Sequence, residues 1–239
     1  MRQQVASAGA RGLVVGLSGG LDSAVVARLA QLAAPGAVVA AILPCHSDPS
    51  DEADAAAVAA HFSMTTTRID LSPAYDALTA GAQAALKKLP ATMRQSPAAD
   101  RRPLANIKPR LRMTALYALA NNLTYLVAGT TNRSSLAAGQ LTKYGDGGVD
   151  MLPLGRLLRR EVRSLARDLA VPAKIMGRAP SAGLWIGQTD EEELGCTYDE
   201  LDRYLDEGPE SVAPATALKI ERLIRSAEHT IALPPMPDD

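Results

Sequence analysis

The residues best suited to chemistry stand together near the N-terminus, as Gly16-Leu17-Ser18-Gly19-Gly20-Leu21-Asp22-Ser23. Glycines bring backbone N–H groups close to an anion, serine hydroxyls donate to phosphate oxygens, and a helix opening directly afterwards adds partial positive charge. A carboxylate among phosphate-binding groups makes chemical sense only with a cation between them, so Asp22 points to Mg²⁺. The Walker loop requires a Gly-Lys-[Ser/Thr] ending, and none stands here. An ordinary capped βα turn is the plain alternative, and three glycines and two serines around one aspartate argue against it.

Cations gather at two further places. Arg101, Arg102, Lys108, Arg110 and Arg112 fall within twelve residues that hold no acid. In a nearly neutral chain this is a local anion site or a solvated face, and beside a phosphate loop the first reading is favoured. Arg156, Arg159, Arg160 and Arg163 surround Glu161 on a predicted helix, a pattern that alone reads as a surface face. Lys143-Tyr144-Gly145-Asp146-Gly147-Gly148, with Asp150 after it, suits closure over a polar ligand, an exposed turn being the alternative. His46, His61 and His229 share no constellation, and neither Gly-x-Ser-x-Gly nor His-Glu-x-x-His occurs. Hydrolysis by a nucleophilic side chain is therefore not expected. The expected chemistry is the positioning of ATP, Mg²⁺ and a carboxylate substrate, with charge stabilisation of the transition state.

The elements that position these groups alternate as strand and helix. Leu13–Ser18 reads as a strand, Asp22–Ala34 as a helix stopped by Pro35-Gly36, and Ala37–Leu43 as a second strand. Asp51–Ala60 is an alanine-rich helix with acids in its first turn, so Asp48, Asp51, Glu52 and Asp54 read as capping and solvated residues before metal ligands. Thr65–Leu71 is a β-branched strand and Ser72–Leu86 a further helix; Ile107–Asn121 is helical and Thr124–Ala128 a strand. Leu157–Ala170 is a basic amphipathic helix, Asp190–Leu205 is largely helical, and Ala217–His229 is the last helix. The pattern predicts an α/β fold, a doubly wound parallel sheet flanked by helices in the Rossmann manner, as one domain over 1–239 with a helical C-terminal extension. Lys87–Pro103, with three prolines and no clear period, is expected to be a mobile loop or lid.

Composition removes several functions. The chain has 239 residues, a formal net charge of −1 and only 3% aromatic residues, so neither electrostatic attraction to nucleic acid nor a base-stacking platform is expected. Leu29–Ser47 carries no charge but is broken by Pro35-Gly36, and Met1–Arg11 lacks the apolar core of a signal peptide. A cytoplasmic protein away from membranes is the expectation. The two cysteines, Cys45 and Cys196, form no Cys-x-x-Cys and read as reduced, buried thiols; Cys45-His46 is a poor chelate.

The loop Ser18-Gly19-Gly20-Leu21-Asp22-Ser23 resembles that of the N-type ATP pyrophosphatases, which cleave ATP between its α- and β-phosphates to adenylate a substrate. Asn106–Met113, Gly129-Thr130-Thr131-Asn132-Arg133-Ser134, Thr142–Gly148, Pro180–Trp185 and Gly187-Gln188-Thr189-Asp190-Glu191 are similar, in order, to ammonia-dependent NAD synthetase. That resemblance implies adenylation of the nicotinate carboxylate of deamido-NAD, followed by displacement of AMP by ammonia. It implies that Gly16, Leu17, Ser18, Gly19, Gly20, Leu21, Asp22 and Ser23 hold ATP, with Thr130, Arg159 and Ser181. Arg110, Lys143, Asp150, His229 and Thr230 would contact deamido-NAD, and Asp22, Ser18 and Lys143 would take the catalytic roles. Asp22 would bind Mg²⁺. The resemblance further implies a homodimer with substrate sites at the subunit interface, and free ammonia or a separate glutaminase as nitrogen source.

Four positions depart from the family pattern. Ser135 stands where a glutamate usually supplies a second Mg²⁺ ligand, and Arg159 where a lysine usually binds ATP. Ile186 replaces a polar or acidic residue, and Thr230 follows His229 where a lysine is usual. Two alternatives follow: a related amide ligase that adenylates another carboxylate, and a nucleotide-binding protein without turnover. A tRNA-modifying role fits least, given the neutral charge and the lack of a catalytic cysteine pair.

Overall fold

The computed structural model describes residues 1–93, 102–181, 183–185, 187–234 and 236. Arg101, Ile186 and the middle of the expected lid lie outside the described residues. In chain order the elements are α1 (Arg2–Ser7), β1 (Gly12–Gly16), α2 (Leu21–Ala33), β2 (Val38–Ile42), α3 (Pro49–His61), β3 (Thr66–Arg68) and α4 (Ser72–Lys87). There follow α5 (Arg102–Ala105), α6 (Ile107–Leu123), β4 (Tyr125–Ala128), α7 (Arg133–Ala137) and α8 (Arg159–Asp168). The chain continues through α9 (Ala173–Met176), α10 (Asp190–Leu194), α11 (Tyr198–Glu207) and α12 (Pro214–Ile231).

The four strands form one parallel sheet in the order β3-β2-β1-β4. Period-two alternation in β1 divides its side chains between two cores. Leu13 and Val15 pack with the buried faces of α2, α3 and α8, while Val14 packs on the other side with Val127 of β4 and Ala120 of α6. All three β1 side chains are fully buried, and each contributes about 1.5–3 kcal/mol of burial free energy. A strand covered on both faces reads as a continuous apolar run, which is why Gly12–Gly16 is legible from sequence. A third cluster, built on Leu194, Tyr198, Leu201 and Ile220, joins α10, α11 and α12. It forms the helical C-terminal extension.

The sheet grows toward β3 on one side of β1 and toward β4 on the other. The crevice at the carboxyl ends of β1 and β4 is therefore the topological switch point, where open α/β sheets bind ligands. Gly129, just past β4, is needed there, because a Cβ would lie 2.7 Å from Val149 and 2.8 Å from Leu152.

Several expected boundaries change. The Thr65–Leu71 strand contracts to Thr66–Arg68 at the sheet edge, and Leu157–Ala170 to Arg159–Asp168. Asp190–Leu205 divides into α10 and α11, because Gly195 adopts φ +64 and Thr197 then caps α11 by accepting from Glu200 N. Part of the expected lid is ordered, with a 3₁₀ turn at Ala91–Met93 and α5 carrying Pro103. Cys45 and His46 lie beyond β2 rather than within a strand; Cys45 is buried and His46 Nε2 sits 2.8 Å from Asp76 Oδ1.

Candidate active site

The loop between β1 and α2 is braced from within. Ser23 Oγ donates to the Gly20 carbonyl at 2.9 Å and accepts from Ser18 N at 3.2 Å. The Ser18 hydroxyl, 3.0 Å away, is left to donate to Ser23 Oγ while it accepts from Gly20 N at 3.3 Å. Gly20 occupies the N-cap of α2 with no side-chain cap, so the positive end of a 13-residue helix is open toward the cleft. Gly19 has φ +80 and lies against α3, where an added Cβ would come within 2.5 Å of the Asp51 carbonyl. The loop thus fits only because glycine stands at that contact.

Above the loop is a cleft of about 540 Å³. Gly16, Leu17, Ser18, Gly20, Leu21, Asp22 and Ser23 line it, as do Thr130, Ser135, Arg159 and Ser181. Every expected ATP contact except Gly19, which is turned into α3, therefore faces one space. Arg102 and Arg112 from the first basic cluster line it too. Lys108 and Arg112 of that cluster have partners within the protein. Lys108 is buried, and its ammonium donates to the carbonyl of Leu184, another residue of the cleft lining, at 2.8 Å. Desolvation lowers its pKa. Arg112 donates to the Leu43 carbonyl at 3.2 Å and to Ser47 Oγ at 3.1 Å.

Of the expected deamido-NAD contacts, Arg110, Lys143 and His229 are linked in a patch outside the cleft lining. Arg110 Nε donates to the Lys143 carbonyl at 3.3 Å, and Lys143 Nζ donates to the carbonyls of His229 at 2.8 Å and Ala232 at 3.1 Å. One lysine thereby caps the end of α12 and brings Arg110, His229 and Thr230 to one side of the molecule. Asp150 has different partners. Its carboxylate accepts from Val127 N at 2.7 Å and from Tyr117 OH at 3.1 Å. Burial and the neighbouring carboxylate push the Tyr117 hydroxyl up to about 12, so it remains a donor.

Asp22 sits at the centre of the cleft's charge. Asn132 Nδ2 donates to its Oδ1 at 3.0 Å and Arg159 Nη1 to its Oδ2 at 3.3 Å. Asn132 Oδ1 in turn accepts from Ser135 N and caps α7. The N-terminus of α8 is fixed by Ser134, whose hydroxyl accepts from Arg159 N, and by Asp202, which accepts from Ser134 and from Arg160 N at 2.8 Å. Arg178, absent from the expected site, lines the cleft and is held by Asp51 and Asp54. Asp190, which stands in the Gly187–Glu191 motif without an expected role, also lines the cleft, and Tyr198, in no motif, supports it through Asp190 and Arg159. Asn132 could have been read from its place in the Gly129–Ser134 motif.

Asp22 and the neutral Ser135 hydroxyl line the cleft together, with Asp51, Glu52, Asp190 and Glu193 elsewhere in its lining. Among the described residues no group of three His, Cys, Asp or Glu side chains converges to hold a metal. Mg²⁺ commonly uses one or two carboxylates and completes its shell with substrate phosphates and water. The set therefore fits a cation that arrives with a nucleotide.

A family model described as NAD synthase matches residues 1–234. The chain belongs to the NAD synthase family. Members of this family are ligases that form a C–N bond by ATP-dependent amidation of deamido-NAD. The NH(3)-dependent NAD(+) synthetase of Carboxydothermus hydrogenoformans is 46% identical over 237 residues, covering 99% of this chain and 93% of the relative. Among solved structures, the NMN synthetase of Francisella tularensis superposes with a TM-score of 0.88 at 36% identity, covering 100% of this chain and 94% of that one. The NAD+ synthetase of Burkholderia pseudomallei superposes at 0.75 with 34% identity, covering 98% and 86%. Among the described residues of this NAD synthase family member, no helix is long and apolar enough to cross a membrane.

Proposed function

We propose that this chain converts deamido-NAD and ammonia to NAD in the cytoplasm, consuming ATP and releasing AMP and pyrophosphate. The observation that carries the reading is the convergence of Gly16–Ser23, Thr130, Arg159 and Ser181 on one cleft at the switch point. The open end of α2 receives the ATP phosphates, the Ser18 and Ser23 hydroxyls brace the loop that presents it, and Arg159 adds a bidentate cation. Asp22 would hold Mg²⁺, which when bound neutralises the charge of the departing pyrophosphate. A nicotinate carboxylate oxygen attacks the α-phosphorus and the bond to pyrophosphate breaks. Ammonia then attacks the adenylated carbonyl carbon and AMP leaves with the bonding pair. No side chain becomes covalently attached, so the cleft acts by orientation and charge complementarity. Lys143 and Arg110 bring cationic charge to the dinucleotide end, with His229 and Thr230 beside them.

The Asp150 carboxylate is bonded to Val127 N and Tyr117 OH and not to that patch, and in this reading a second copy completes the deamido-NAD site in a homodimer. Ammonia is taken from solution or from a separate glutaminase. Incubating the protein with ATP, Mg²⁺, ammonium and deamido-NAD should give NAD and pyrophosphate in equal amounts; neither product would sink the reading. The overlap with the Francisella NMN synthetase favours a second reading, amidation of the mononucleotide half of the same substrate. Offering the deamidated mononucleotide in a parallel reaction separates the two by their kcat/KM values.

A further inference from the structure

Asp22 holds a guanidinium at the face a metal-binding aspartate would turn to its cation. Arg159 Nη1 lies 3.3 Å from Asp22 Oδ2, and Arg159 Cζ lies 4.5 Å from the centre of the Tyr198 ring. The fork is gripped between a carboxylate and an aromatic face, and the two charged side chains are only 14% and 24% exposed. Tyr198 is itself fixed. It is 4% exposed, its hydroxyl donates to Asp190 Oδ2 at 3.0 Å, and Ser135 Oγ is 3.4 Å away. Desolvation and the Asp190 charge raise the Tyr198 pKa, so the hydroxyl stays protonated. Ser135 is buried and uncharged, and the acid that Arg159 donates to is Asp22.

We propose that Asp22 and Arg159 form an ion-pair latch that admits a divalent cation only together with a polyphosphate, and that Tyr198 is the positioning residue that holds Arg159 in it. A bare cation must approach Asp22 against the guanidinium, and position 135 offers it only a neutral hydroxyl. A metal–polyphosphate brings both signs at once. The cation takes the guanidinium's place on Asp22, phosphate oxygens take the carboxylate's place on Arg159, and no charge is left unpaired. An acid at position 135 would add a metal ligand but would also attract Arg159, so positions 135 and 159 act as a pair. The proposal rests on the reading of the cleft as an ATP site.

The test is Mn²⁺ uptake, followed by the electron paramagnetic resonance of the free ion, with and without a non-hydrolysable ATP analogue. The wild type should take up Mn²⁺ only with the nucleotide, and Arg159→Met should bind Mn²⁺ alone about tenfold more tightly than wild type. Ser135→Glu with Arg159→Met should in turn exceed Ser135→Glu alone by about tenfold. Without metal, Tyr198→Leu should weaken analogue binding while Tyr198→Phe, which keeps the ring, should not. Nucleotide-free uptake by the wild type that Asp22→Asn abolishes would overturn the latch, as would equal uptake by Ser135→Glu and the double variant. Equal analogue binding by Tyr198→Leu and wild type would remove Tyr198 from it. If no form takes up Mn²⁺ even with nucleotide, the ATP-site reading fails and the latch with it, a result distinct from intact nucleotide-dependent uptake with the wrong nucleotide-free pattern. Arg159→Met buries no new charge, so it keeps the proposal testable should Ser135→Glu fail to fold.

Discussion

Gly19 shows how a single residue type sets the phosphate loop. Its φ of +80 is strained for any L side chain, and a Cβ would meet the Asp51 carbonyl at 2.5 Å and Asp54 Cβ at 2.9 Å. Both obstacles belong to the first turns of α3, whose backbone cannot move aside without losing the Asp48 cap and the ion pairs of Asp51 and Asp54 with Arg178. Gly19→Ala should therefore lower stability by about 1–3 kcal/mol and abolish measurable ATP binding. Gly20→Ala is the control at the neighbouring position. Its φ is −88 and the nearest contact for a new Cβ is Ser18 Oγ at 3.4 Å, so the fold should tolerate it. Thermal unfolding and calorimetric titration with ATP separate the two outcomes. Equal tolerance of both substitutions would show that the loop is not pressed on α3.

At the scale of elements, the position of Arg159 depends on α11 rather than on its own helix. Asp202 accepts from Ser134 and from Arg160 N, so it supplies the acceptor that the first turn of α8 otherwise lacks. Asp202→Ala strands those two donors around a site only 1% exposed, and should cost roughly 2–3 kcal/mol in urea denaturation. ATP affinity should fall in parallel, because Arg159 begins the same turn. Asp202→Asn keeps an acceptor and should lose less of both; a larger loss for Asn than for Ala would contradict this account. The same dependence explains what the sequence could reveal. The buried strands and α2 are legible because their apolar spacing is set by the sheet they cover, and the Gly16–Ser23 loop because its chemistry is local. Arg178 and Asp190 in the cleft lining, and Tyr198 behind Arg159, are placed by ion pairs and hydrogen bonds with partners seven or more residues away in the chain. The short helices α7 and α9 are held by caps and tertiary contacts, not by a period long enough to read.

At the scale of the whole molecule, α4 is the element the single chain leaves unexplained. It runs for 16 residues with six alanines and two leucines, yet none of its residues is buried. Leu78 is 50% exposed and Leu86 49%. A helix of this length gains most of its stability by packing an apolar face, and here only Tyr75 reaches a core. It lies against α6, the helix that carries Tyr117 and, through it, Asp150. A second copy docked along α4 and α6 would cover the leucines and bring Asp150 of one chain toward the site of the other, adding one of the five expected deamido-NAD contacts. Replacing Leu78 and Leu86 by Glu should therefore turn a dimer into a monomer, read as a halving of mass in light scattering. It should raise the KM for deamido-NAD while leaving the KM for ATP nearly unchanged, because the phosphate loop, Arg159 and Thr130 lie in one chain. A variant that stays dimeric would place the interface elsewhere. A monomer with unaltered KM for deamido-NAD would show that the substrate site is complete within one chain.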